Sequence, residues 1–119
     1  MVNTDYKQLG FFNKSHDFTL EIYNITKKFP KDELYCLVSQ LKRAACSIPS
    51  NIAEGSVRST IKDYKSYLHN ALGSAKEIEY QLLLAKDLKY IPLDKYEELI
   101  KKLNEIIGSL TNYMKRIDN

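Results

Sequence analysis

The side chains best suited to chemistry in this 119-residue chain are its histidines, cysteines and basic residues, and their spacing limits what they can do. His16 and His69 are the only histidines. Neither has a second His, a Cys or a carboxylate pair at the i, i+3 or i+4 step that builds a metal site on a helix. Cys36 and Cys46 stand ten residues apart on one expected helix. That is about 15 Å along its axis, too far for a disulfide within it. With no Cys-x-x-Cys and no Cys/His cluster, both read as buried or partly buried structural thiols. The serines lack a nucleophile elbow, and no Gly-x4-Gly-Lys-Ser/Thr phosphate loop occurs. No catalytic residue, metal ligand or cofactor site is expected, and enzyme activity has no support.

The basic residues offer more. Between positions 42 and 65 the chain places Lys42, Arg43, Arg58, Lys62 and Lys65 against Glu54 and Asp63, around one expected corner of the fold. Such a group can hold phosphates in a salt-sensitive, largely sequence-independent way, more so when several copies face one direction. A charged face turned to solvent is the competing reading. Over the whole chain 18 Lys and Arg stand against 15 Asp and Glu, a net +3 that permits nucleic-acid binding without requiring it.

Asn51 and Glu54 fall between apolar residues, where a buried polar group must find a partner. They are expected to hydrogen-bond backbone loosened by Pro49 or to pair with Arg43 or Arg58; a ligand or subunit contact is the alternative.

The elements that position these residues are helices. Phe18, Ile22, Ile25 and Phe29 recur at steps of four, three and four, so a first helix runs from Ser15, its expected N-cap, to Pro30. Residues 1–13 lack periodicity and read as an arm whose aromatics pack on a neighbouring surface. A second helix starts near Lys31 to Glu33, with Leu34, Leu37, Val38, Leu41, Ala44, Ala45, Ile48 and Ile52 on its apolar face. That face crosses Pro49, which has no N–H for the Ala45 carbonyl, so the helix is expected to kink or restart there, with Ser47 and Ser50 able to satisfy freed groups. Gly55 is expected to close it in the left-handed conformation.

Thr60 and Asp63 resemble a capping box opening the third helix. Ile61, Tyr64, Leu68, Ala71, Ala75, Ile78, Leu82 and Ala85 then keep a heptad seam over about 25 residues, close to 37 Å. Ala71, Gly73 and Ala75 would let a neighbouring helix approach. A turn at Tyr90 to Leu93, with Asp94 as N-cap, leads to a fourth helix carrying Tyr96, Leu99, Leu103, Ile106, Leu110, Tyr113 and Ile117. The sequence therefore predicts one all-α domain over residues 1–119, an antiparallel up-and-down four-helix bundle.

A composition of 44% hydrophobic and 28% charged residues argues against a disordered chain. No apolar run approaches the roughly 20 residues of a membrane span, and the first residues lack a basic segment followed by an apolar one, so a cytoplasmic protein with no membrane contact is expected. Apolar positions outnumber the roughly three per heptad that a bundle core uses. Self-association is the economical explanation, and nine tyrosines fit it, since tyrosine joins apolar area to a polar tip.

Gln40, Arg43 and the run Ser47-Ile48-Pro49-Ser50-Asn51-Ile52-Ala53-Glu54-Gly55, followed by Arg58, resemble the signature of the protein family first noted in intervening sequences of bacterial 23S ribosomal RNA genes. The run from Leu68 to Glu79 resembles its second signature, small residues and Gly-Ser before an acidic pair. The resemblance covers roughly Phe11 to Met114. It implies an antiparallel four-helix bundle assembled as a ring, typically a pentamer, and relatives among the accessory proteins of diversity-generating retroelements, which are basic and bind nucleic acid. On this reading Ser47, Pro49, Asn51, Glu54 and Gly55 are structural and the basic residues bind RNA or DNA. The alternative is a scaffold that binds itself or another protein and no nucleic acid. This chain departs from the family in lacking Trp at the entry to its first helix.

Overall fold

The computed structural model describes Val2 and residues 4–117. Met1 and Asn3, part of the expected arm, lie outside the described residues. Four α-helices follow in order, α1 (Gly10–Thr26), α2 (Leu37–Gly55), α3 (Ile61–Asp87) and α4 (Leu93–Arg116), with 3₁₀ turns at Tyr6–Gln8 and Lys31–Glu33. No strand occurs among the described residues. α1 packs on α2 and α4, and α3 packs on α2 and α4. Joined by short connections, the helices occupy the corners of a square in chain order, an antiparallel four-helix bundle.

α1 starts earlier than its periodicity indicates. Ser15 is not a cap; it is buried inside the helix, and its hydroxyl donates to the Phe12 carbonyl at 2.8 Å. The reason is Phe11, a core residue whose ring centroid lies 5.0 Å from that of Tyr113 on α4. One turn carrying a single inward side chain shows no period, so the sequence pattern misses it. Phe12 stacks edge-on against Tyr6 at 4.8 Å, which folds the preceding 3₁₀ turn back onto the helix.

α2 starts later than expected, because Lys31–Glu33 is a separate 3₁₀ turn and Cys36, at φ −120° and ψ −102°, interrupts the path. Glu33 fixes the turn: its Oε2 accepts the Tyr90 hydroxyl at 2.7 Å and its Oε1 the Leu37 N–H at 3.4 Å. The hydrogen bond to this carboxylate pushes the Tyr90 hydroxyl above its ordinary pKa. Leu34, expected in the core, is therefore 47% exposed. Cys36 and Cys46 are both exposed free thiols, against the expectation of burial.

The third helix follows its pattern except at its first position, where Ile61 is exposed in the opening turn. Thr60 caps it by accepting the Asp63 N–H at 3.1 Å, and the seam from Tyr64 to Ala85 is buried. Its end is a Schellman turn: Tyr90 N–H reaches the Ala85 carbonyl at 2.8 Å and Lys89 N–H the Lys86 carbonyl at 2.9 Å, with Lys89 left-handed at φ 66°. Ala71 and Ala75 pack inward, whereas a Cβ on Gly73 would meet nothing within 4 Å, so Gly73 makes no close helix contact. α4 begins one residue before Asp94, with Pro92 at the N-cap position. Its core stripe is Leu99, Leu103, Ile106, Leu110 and Met114, while Tyr96, Tyr113 and Ile117 are half-buried beside it.

α1 and α4 are joined by charge as well as by core. Glu21 Oε1 accepts Lys95 Nζ at 2.7 Å and Glu21 Oε2 accepts Lys102 Nζ at 2.9 Å, with Glu98 within reach of both lysines. Burial of Glu21 works to raise its pKa, but the hydrogen bonds and positive charge of the two lysines outweigh that and hold the carboxyl below its usual range. Both lysine pKa values are raised in return, chiefly by the hydrogen bond to Glu21. No helix among the described residues is long and apolar enough to cross a membrane.

Candidate nucleic-acid interface

The signature segment lies on α2, which is continuous from Leu37 to Gly55, so the helix does not restart at Pro49. The Ala45 carbonyl that Pro49 leaves without a backbone donor is met from outside: Thr19 Oγ1 on α1 lies 3.0 Å from it and 2.8 Å from the Ser15 carbonyl. The Ser15 carbonyl also faces the helix's own amide at position 19, so Ala45 is the acceptor that depends on the hydroxyl. Neither Ser47 nor Ser50 takes this part. Ser50 Oγ instead lies 3.7 Å from Cys46 Sγ.

Asn51 Nδ2 donates to the Ser47 carbonyl at 2.8 Å and to Ser47 Oγ at 2.9 Å, and Ser74 on α3 donates to that same Oγ at 2.8 Å. The first signature is thereby tied to the Gly73-Ser74 pair of the second. Glu54 is exposed and has no ion pair with Arg43, Arg58 or any other described residue.

Gly55 is buried but not left-handed, because no glycine here has positive φ. Its requirement is space. A Cβ at this position would stand 2.9 Å from Tyr67 Cβ and 3.1 Å from Tyr64 Cδ1, so α3 crosses α2 at a distance only glycine allows.

The five basic candidates divide into two groups. Lys42 and Arg43 lie on α2, some 18 to 20 Å of helix axis from Gly55 at 1.5 Å per residue. The Lys42 Nζ sits 4.9 Å over the Tyr23 ring, and Arg43 is exposed. Arg58, Lys62 and Lys65 stay together where α2 gives way to α3. The Arg58 guanidinium stacks 4.9 Å over Tyr67 while its Nε is buried without a hydrogen-bond partner. Lys62 is exposed and Lys65 half-buried.

The structure adds three cations the sequence reading passed over. Tyr64 and Tyr113 hydroxyls lie 3.0 Å apart, which sets the last turn of α4 beside the first turn of α3. Burial, reinforced by that hydrogen bond, pushes the Tyr64 hydroxyl far above its ordinary pKa, so the pair stays neutral. Exposed Lys115 and Arg116 therefore join Arg58, Lys62 and Lys65 at one end of the bundle. Lys7 belongs there too, since its 3₁₀ turn packs on α2 and Val2 N–H donates to the Arg58 carbonyl at 3.3 Å. Against these six, the described residues of this end supply Asp5, Glu54 and Asp63. The sequence signal was available: antiparallel order alone puts the end of α4 beside the start of α3.

Among the described residues no group of His, Cys, Asp and Glu is arranged to hold a metal ion. What this end can do is attract and contact phosphate, with Arg58 oriented by its tyrosine.

No curated protein matches the chain. A solved structure it resembles is that of a protein of unknown function of the S23 ribosomal protein family from Bacteroides thetaiotaomicron. The two share 29% identity over 88% of this chain and 95% of the other, with a TM-score of 0.82. A family model described as 23S rRNA-intervening sequence protein matches residues 7–112, nearly the whole of the bundle: the chain belongs to that family.

Proposed function

We propose that this chain is a non-enzymatic, self-assembling helical bundle that binds RNA or DNA with the basic end of each copy. The observation that carries the reading is the Tyr64–Tyr113 contact, which gathers Arg58, Lys62, Lys65, Lys115 and Arg116 from two remote parts of the chain onto one end. Scattered surface charge is the ordinary state of a soluble bundle; an end whose described residues carry twice as many cations as carboxylates is a field that attracts a polyanion. In a ring of copies, a pentamer in this reading, the patch repeats around one rim and its attraction multiplies. The protein then acts in the cytoplasm with nucleic acid as partner.

The second reading, a scaffold that binds itself or another protein, is favoured by a different observation: Leu20, Tyr35 and Tyr80 are 57%, 88% and 61% exposed. Filter binding of labelled RNA and duplex DNA across a salt series separates the two. Affinity that falls linearly in log–log form with salt supports the first reading, and no retention even at low salt overturns it. A light-scattering mass of one subunit would overturn self-assembly in both.

A further inference from the structure

The outer face of α3 continues away from the basic end. Lys62, Ser66, Asn70 and Gly73 recur there at steps of four, four and three, with His69 beside them, and all five are exposed. They lie opposite the buried seam of Leu68, Ala71 and Ala75. No carboxylate occurs between Asp63 and Glu77, and α4 alongside carries none from Ile106 to Arg116. On the α2 side the exposed carboxylate is Glu54. Lys76 closes the run, its Nζ 3.6 Å from Glu79 Oε1.

Gly73 has no reason for being glycine inside the bundle. A Cβ there would meet nothing within 4 Å, and glycine is a poorer helix residue than alanine. An exposed helix position without a side chain lets a second molecule come close to the backbone. Gly108 on α4 is open in the same way. The side chains of Ser66, His69 and Asn70 have no hydrogen-bond partner among the described residues.

We infer that the nucleic acid held at the basic end runs on along this face of α3, its sugar–phosphate backbone lying over Gly73 and hydrogen-bonded by Ser66, His69 and Asn70. This rests on the nucleic-acid binding proposed above and gives it a direction and a length. From Lys62 to Gly73 is about 17 Å of helix, or about five phosphate spacings of one strand. The two regions divide the work. Lysine and arginine at the end supply salt-dependent attraction, while uncharged donors along the face bond phosphate and sugar and fix the register.

Asn70→Ala and Gly73→Gln test the inference, both at exposed positions. Filter binding of labelled duplex DNA and of RNA is measured across a salt series, with Tm and light-scattering mass for each variant. Each variant should bind about tenfold more weakly, in whichever nucleic acid the wild type retains, with Tm and mass unchanged. Asn70→Ala should also keep the wild-type log–log salt slope, because asparagine releases no counterion. Wild-type affinity in both variants overturns the inference and leaves the basic end standing. Weaker binding with an altered mass assigns this face to contacts between copies and likewise overturns it. No binding by the wild-type chain overturns the function proposed above, and the inference with it.

Discussion

The hydroxyls of Tyr64 and Tyr113, 49 residues apart in the chain, lie 3.0 Å from each other where α3 begins and α4 ends. This contact is buried on the Tyr64 side and shared with Phe11, whose ring centroid is 5.0 Å from that of Tyr113. Three helices are thus pinned at the end that carries the basic residues. The charged patch stands on a rigid base, and its cations come from helix termini that the base holds in place.

The Gly55 crossing gives a direct test of why the signature ends in glycine. Gly55→Ala should destabilise the bundle by about 1 to 3 kcal/mol, because a methyl at 2.9 Å from Tyr67 Cβ meets a carbon fixed directly to the backbone, which no rotamer change can move away. For a domain of this size that is a fall in Tm of roughly 4 °C per kcal/mol. Gly73→Ala, with nothing near the added methyl, should leave Tm unchanged or raise it, since alanine is the better helix former. Thermal melts of the two variants side by side decide whether closeness or backbone freedom is the requirement.

Thr19 supplies the donor that Pro49 removes. Thr19→Val keeps the shape and leaves the Ala45 carbonyl without its donor, so it should cost about 1 to 3 kcal/mol in urea unfolding, and Thr19→Ser should recover much of that. The double variant Thr19→Val with Pro49→Ala restores a backbone donor for Ala45, and its loss should be smaller than that of Thr19→Val alone. Equal losses would show that the carbonyl does not depend on the hydroxyl.

The Glu21 cluster makes stability pH-dependent on both sides. Because the folded pKa of Glu21 is lowered, its contribution is fully present above the ordinary carboxylate value of about 4.3 and is lost as pH falls through the folded value. Lys95 and Lys102 are raised, so theirs is fully present below about 10.4 and is lost as pH rises through their folded values. Urea midpoints should therefore hold level from about pH 5 to pH 10 as far as this cluster is concerned. Glu21→Gln should lower that plateau and flatten the acid limb. An unchanged acid limb in the variant would place the dependence elsewhere.

The bundle was legible from period alone wherever a helix buries one face for several turns. α3 shows this best, with its Thr60 cap and seam in the expected places. Three of the misreadings share a cause: each depended on a partner distant in the chain. Ser15 looked like a cap because Phe11 gives no periodic signal until Tyr113 packs against it. Lys31–Glu33 looked like a first turn because acidic residues suit one, whereas Glu33 is committed to Tyr90 on the far side of α3. Gly55 looked like a left-handed terminator because that is the commoner use of glycine at a helix end, and only the tyrosines of α3 reveal the crossing. Half of the basic end was legible as Arg58, Lys62 and Lys65. Lys115 and Arg116 became part of it once α4 was seen to return to the start of α3.

The central claim is that the basic end holds nucleic acid, and charge reversal at matched positions tests it most directly. Lys62→Glu with Arg116→Glu alters that end, while Lys28→Glu with Lys31→Glu makes the same net change at the opposite end, beyond α1. Binding of duplex DNA or RNA is measured against salt for both. The account predicts that the first pair weakens binding and makes the log–log salt slope shallower by about 2, whereas the second pair changes the slope little. Equal weakening by both pairs would show attraction by net charge alone, and would contradict the assignment of the site.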